Sequence, residues 1–130
     1  MKEKKGLSLV IGASLKPERY SYQAIIRLRA NAWPTVALGL REGVVADVQI
    51  HTDIKEFRDL DIDTFTLYLG PARQGELLKW AKMLRPKRII FNPGTENLNI
   101  YKDLDALNIK YEEACTLVLL ATAQYDLGLR

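Results

Sequence analysis

The chain has 130 residues, 48% of them hydrophobic and 27% charged, with a formal net charge of +3. That length suits one domain, residues 1–130, with room for a sizeable core, and no apolar run approaches the ~20 residues of a membrane helix or the h-region of a secretory signal, so a cytoplasmic protein with no membrane partner is expected. A single cysteine, Cys115, excludes an internal disulfide framework, and with one histidine, His51, it leaves no set for a structural zinc site.

The basic start, Lys2 to Lys5, reads as a solvated terminus. Gly6 to Ile11 (GLSLVI) has the composition of a buried strand. Gly12-Ala13-Ser14 ends it, and Pro17-Glu18-Arg19 marks the approach to a helix. That helix runs from about Tyr20 to Ala30, with Ala24, Ile25 and Leu28 at helical spacing. Trp33 to Leu38 is the next strand, Gly39 to Gly43 a turn, and Val44 to Ile50 a short strand or hairpin. Asp53 caps a short helix that reaches Leu60.

Thr64 to Leu69 (TFTLYL) is a strand broken by Gly70-Pro71. A helix over Arg73 to Leu84 puts Leu77, Leu78, Ala81 and Leu84 on one face. Arg88 to Phe91 is a strand, Asn92-Pro93-Gly94-Thr95 a sharp turn, and a helix follows through Leu107. Asn108 to Tyr111 is a last short strand, and Thr116 to about Tyr125 an apolar closing helix. Strand and helix in alternation predict an α/β, Rossmann-like domain, with a mostly parallel five-stranded sheet and helices on both faces.

In such a sheet ligands bind beyond the carboxyl ends of the strands, near the switch in strand order. Three sets of turns fall there. In the first, Gly12, Ala13 and Ser14 lead to a helix whose free N–H groups and positive end suit a phosphate. Ser14 offers a hydroxyl, and Arg19 and Tyr20 stand at the helix entry. The full G-x-G-x-x-G fingerprint is absent, and a bare strand-to-helix turn has the same composition. In the second, Arg41 precedes Glu42 where a dinucleotide site usually has its ribose carboxylate. An arginine there favours a ribose that carries an extra phosphate, as NADP and coenzyme A both do, although it also suits a solvated turn. In the third, Gly70-Pro71 and Asn92-Pro93-Gly94 bring backbone groups to the same edge, or serve as plain turns.

VIGAS, PERYS, the apolar strand with its glycine turn, PKRIIFNPGTEN and Cys115 together resemble the CoA-binding domain family of small bacterial proteins. That family is similar to the CoA-binding domain of the succinyl-CoA synthetase α subunit. The resemblance spans about residues 7 to 120. It implies a Rossmann-like fold that binds coenzyme A or an acyl-CoA, with the pyrophosphate on Gly12, Ala13 and Ser14, flanked by Arg19 and Tyr20. Arg41 falls near a basic residue that follows the second strand in many members. The Asn92-Pro93-Gly94 turn resembles a glycine turn near the pantetheine path. Where many members have a Pro-Val-Asn-Pro type segment, this chain has Ala37-Leu38-Gly39-Leu40, a departure on the adenosine side.

No catalytic constellation accompanies this site. There is no G-x-S-x-G elbow. His51 reads as an exposed residue, Cys115 as a small buried one, and Asp61 and Asp63 as turn and capping residues. The expected protein is a stand-alone coenzyme A binder with a carrier, sensor or regulatory role. A homodimer or another protein could read its bound state. The alternative is an NADP-binding oxidoreductase subunit or fragment. A nucleic-acid partner is not expected, because no stacking aromatic cluster or recognition helix accompanies the basic charge.

Overall fold

The computed structural model describes residues 5–126, so Lys2 to Lys4 of the basic start lie outside the described residues. The chain runs β1 (Leu7–Ala13), α1 (Tyr20–Ala30), β2 (Thr35–Gly39), β3 (Gly43–Val45), β4 (Val48–His51), β5 (Ile62–Leu67), α2 (Leu77–Leu84), β6 (Arg88–Phe91), α3 (Leu98–Ala106), β7 (Lys110–Glu113) and α4 (Thr116–Ala121). Two short 3-10 turns, Ile54–Phe57 and Pro71–Arg73, fall between these elements.

All seven strands form one sheet in the order β3-β4-β2-β1-β5-β6-β7. Every neighbouring pair is parallel except β3 with β4. The expected α/β architecture therefore holds, but with seven strands in place of five. The difference lies in the Val44 to Ile50 segment, which folds as two strands, and in the way it returns to the sheet. β3 runs back along the outer edge so that β4 can pair in parallel with β2, and a strand thus fills the place of a crossover helix. The α1 helix is tied to this hairpin by Arg29, whose guanidinium donates to both carboxylate oxygens of Asp47 at 2.8 Å.

Both faces of the sheet are covered, as its near-continuous apolar strands require. Side chains alternate along β1: Leu9 and Ile11 join Phe65, Leu67, Ile89 and Phe91 under α2 and α3, whereas Val10 joins Ala37, Ile50 and Ile90 under α1 and α4.

The expected helix from Arg73 to Leu84 is split. Pro71–Arg73 makes a 3-10 turn, and α2 begins only at Leu77, because Gln74 turns inward and Gly75 is a poor helix former. Asp53 does cap the turn that follows it, accepting from the Lys55 amide at 3.0 Å, but the turn is one 3-10 stretch that ends at Phe57 rather than a helix to Leu60. The closing helix stops at Ala121, short of Tyr125. Among the described residues no helix is long and apolar enough to cross a membrane.

Candidate functional site

The strand order reverses direction at β1. From there the chain steps out to β2, then returns to pair β5 on the other side. At this switch point the loops after β1, β2, β4, β5 and β6 surround a cleft of about 1060 Å³, the upper range for a small-molecule site.

The β1–α1 loop forms its floor. Gly12 has φ +92 and sits where the register between β1 and β2 slips. A side chain there would meet the backbone of Tyr68 at 3.1 Å, so the glycine lets the first loop pack against the loop after β5. Gly39 makes the matching contact on the other side: a Cβ on it would lie 2.5 Å from the Ala13 carbonyl oxygen. The Lys16 amide donates to Ser14 Oγ at 3.1 Å, which leaves the Ser14 hydroxyl hydrogen free to donate. Arg19 precedes α1 and offers no side-chain cap, and the first turn of α1 holds no acidic residue. The free N–H groups and dipole of that helix end are available to an anion.

Lys16, Arg19, Arg41 and Arg73 line the cleft, and Asp53 is its one carboxylate. The ion pairs Arg29–Asp47, Lys87–Asp63 and Arg88–Glu112 lie elsewhere, and none of the four cleft cations has an ion-pair partner among the described residues. Its remaining walls are less polar, with Leu38, Leu40, Ile54, Leu69 and Trp80 contributing apolar surface.

Of the residues singled out in the sequence, Gly12, Ala13, Ser14, Arg19, Tyr20, Arg41, Gly70, Pro93 and Gly94 are brought together around this cleft. Pro71 and Asn92 are placed elsewhere. Pro71 opens the exposed 3-10 turn. Asn92 is buried and uses its whole amide on the protein. Its Nδ2 donates to Thr66 Oγ1 and the Leu67 carbonyl, both at 2.9 Å, and its Oδ1 accepts from the Thr116 amide at 2.8 Å.

The sequence does not mark Lys16, Arg73, Asp53 and Trp80 as ligand contacts, yet they line the cleft. Lys16 lies between Ser14 and Arg19, so the loop itself was its signal. Arg73, Asp53 and Trp80 arrive from elements distant in sequence, and only the sheet order brings them to the switch point.

Tyr68 closes the wall beneath the cleft. Its hydroxyl is buried beside Thr66 and Thr116, which bond each other at 2.7 Å. Burial holds that phenol well above its ordinary range, so it stays protonated. His51 is half-buried and packs edge-on against Phe57 at 5.5 Å, a correction to its expected exposure. Cys115 is likewise half-buried, at the start of α4. Asp63 lies within β5 and pairs with Lys87 at 3.2 Å. Among the described residues no group of three or more His, Cys, Asp or Glu is placed to hold a metal ion.

Known proteins of this shape share the architecture. A solved structure of an uncharacterised protein is 32% identical, covers 94% of this chain and 99% of its own, and superposes with a TM-score of 0.84. A hypothetical protein from Pyrococcus horikoshii OT3 (21% identity, 94% of this chain and 84% of that one, TM-score 0.77) and a protein from Thermus thermophilus (15% identity, 92% and 90%, TM-score 0.82) have the same fold. Comparison with curated proteins gives no match. The model of one family, described as the CoA binding domain, matches residues 8–121, which run from the start of β1 to the end of α4. The chain belongs to the CoA-binding domain family.

Proposed function

We propose that the protein binds coenzyme A or an acyl-CoA in the switch-point cleft, as a stand-alone carrier, sensor or regulatory protein with no catalytic centre of its own. The observation that carries this reading is the charge of the cleft: four cations with no ion-pair partner among the described residues, against one carboxylate, gathered around a phosphate-type turn. Coenzyme A brings a pyrophosphate and a ribose phosphate to meet them. On this reading the pyrophosphate lies on Gly12, Ala13 and Ser14 before the α1 end, and Arg41 meets the ribose phosphate at the end of β2. The neutral pantetheine arm then runs the other way, past Tyr68 to Gly70 and toward Pro93 and Gly94. Family membership supports the same ligand.

Titration calorimetry with coenzyme A, dephospho-coenzyme A and NADP tests this. Saturable binding of coenzyme A, with NADP much weaker, is the expected result. Arg41→Ala should weaken coenzyme A about tenfold, the loss of one charged contact of about 1.5 kcal/mol, and leave dephospho-coenzyme A nearly unchanged. Equal losses for both ligands remove Arg41 from the ribose phosphate, and no binding of coenzyme A overturns the reading.

A further inference from the structure

The two loops on the β5–β6 side of the cleft are joined by a buried side chain that does not line it. Gln74 is 4% exposed and lies in the break between the 3-10 turn and α2. Its Nε2 donates to the Leu69 carbonyl at 2.9 Å and to the Thr95 carbonyl at 2.7 Å, and its Oε1 accepts from Asn97 Nδ2 at 3.0 Å. One amide thus grips the loop after β5 and the loop after β6 together, and a third residue fixes its orientation.

Two consequences follow from peptide geometry. The described chain has no cis peptide, and in a trans peptide the carbonyl and the following N–H point in opposite directions. Drawing the Leu69 carbonyl onto Gln74 therefore turns the Gly70 N–H away from Gln74. Gly70 lines the cleft, and its N–H donates to no acceptor among the described residues. The same grip sets the spacing of the two loops, because a methyl group on Gly70 would lie 3.9 Å from the Gly94 carbonyl oxygen.

We infer that Gln74 is a positioning residue for the pantetheine arm: it holds the Gly70 N–H as a fixed donor to an amide carbonyl of the arm and sets the width between the Gly70 and Gly94 loops. The arm is uncharged, so the cleft cations give it no purchase. It needs oriented backbone donors and walls already in place, and preorganisation of this kind lowers the cost of binding. This inference rests on the coenzyme A reading.

The test compares coenzyme A with adenosine 3′,5′-bisphosphate, which has its ribose phosphate and the first phosphate of its pyrophosphate but no arm, by calorimetry on the full chain. Gln74→Met keeps the volume and removes the grip. It should raise the Kd for coenzyme A about tenfold and leave the bisphosphate within about twofold. A merely structural role would lower the melting temperature and weaken both ligands alike. Gly70→Pro is the second variant and decides the matter if Gln74→Met does not fold. Gly70 has φ −65 and ψ 164, which proline adopts, so the substitution deletes the N–H with the backbone retained. It should reproduce the selective loss. Coenzyme A binding by Gln74→Met at parental strength, or equal weakening of both ligands in either folded variant, overturns the inference while the coenzyme A reading stands. Failure of the unmodified protein to bind coenzyme A overturns both.

Discussion

Asn92 shows how a residue that looks like a ligand contact becomes part of the frame. In the sequence it belongs to a turn of Asn, Pro and Gly beside the expected ligand edge, and composition alone does not separate a contact from a support. In the fold its amide joins β5 to the start of α4 through three hydrogen bonds, and Thr95 Oγ1 in turn donates to its backbone carbonyl at 2.8 Å. Asn92→Asp keeps the shape but faces the Leu67 carbonyl with an acceptor. The variant should lose about 2–4 kcal/mol at neutral pH, measured by urea unfolding. The new carboxyl is held above its ordinary value of about 4 in the folded state, because only its protonated form can donate to that carbonyl. A group raised on folding stabilises below its unfolded pKa and loses that contribution as pH rises through the folded one. The gap between variant and parent should therefore narrow as the pH falls toward 4. A gap that is constant with pH would show that the Asn92 amide is not the donor.

Among the elements, the ones that read clearly in the sequence are those with a period of their own. The β1 and β5 runs, the α1 spacing of Ala24, Ile25 and Leu28, and the strand Arg88 to Phe91 all stand close to where local pattern puts them. The segment Val44 to Ile50 reads as a short strand or a hairpin, not as two more strands of the main sheet. A strand of three residues has no period, and its place at the edge is decided by antiparallel pairing with β4, which in turn pairs with β2. Likewise Gln74 reads as one more helical position until the break before α2 turns it inward.

In the closing segment the apolar sequence predicts one helix to about Tyr125, and here a non-local anchor decides. Tyr125 is buried beyond the end of α4, packs edge-on against Trp33 at 4.8 Å, and bonds Ser8 Oγ at 2.6 Å. The Arg88 guanidinium lies 4.6 Å from its ring centroid and donates to its carbonyl. Packing outweighs the single hydroxyl contact. Tyr125→Ala should cost about 3–5 kcal/mol, and Tyr125→Phe about 1–2 kcal/mol. Urea unfolding measures both, and equal losses would assign the anchor to the hydroxyl instead.

Over the whole molecule the sequence shows a net charge of +3 with no massed basic run, whereas the fold gathers Lys16, Arg19, Arg41 and Arg73 at one edge of the sheet. Three of these come from the loops after β1 and β2, and Arg73 comes from the turn after β5, so the concentration of charge is a product of strand order. Two measurable consequences follow for a polyanionic ligand. Binding to the folded state alone stabilises it by about 2.7 kcal/mol at a hundredfold excess over Kd, which raises the melting temperature of a chain this size by roughly 5–15 °C. Exposed charges are also screened: the Debye length falls from about 10 Å at 0.1 M salt to about 3 Å at 1 M. At one fixed concentration of coenzyme A, thermal unfolding should therefore give a large shift at low salt and a much smaller one near 1 M. The neutral arm alone, offered as pantetheine, should give a small shift that salt leaves unchanged. A coenzyme A shift that is the same at both salt concentrations would mean that the cleft holds its ligand by shape, and the four cations would then have to be explained by something other than its phosphates.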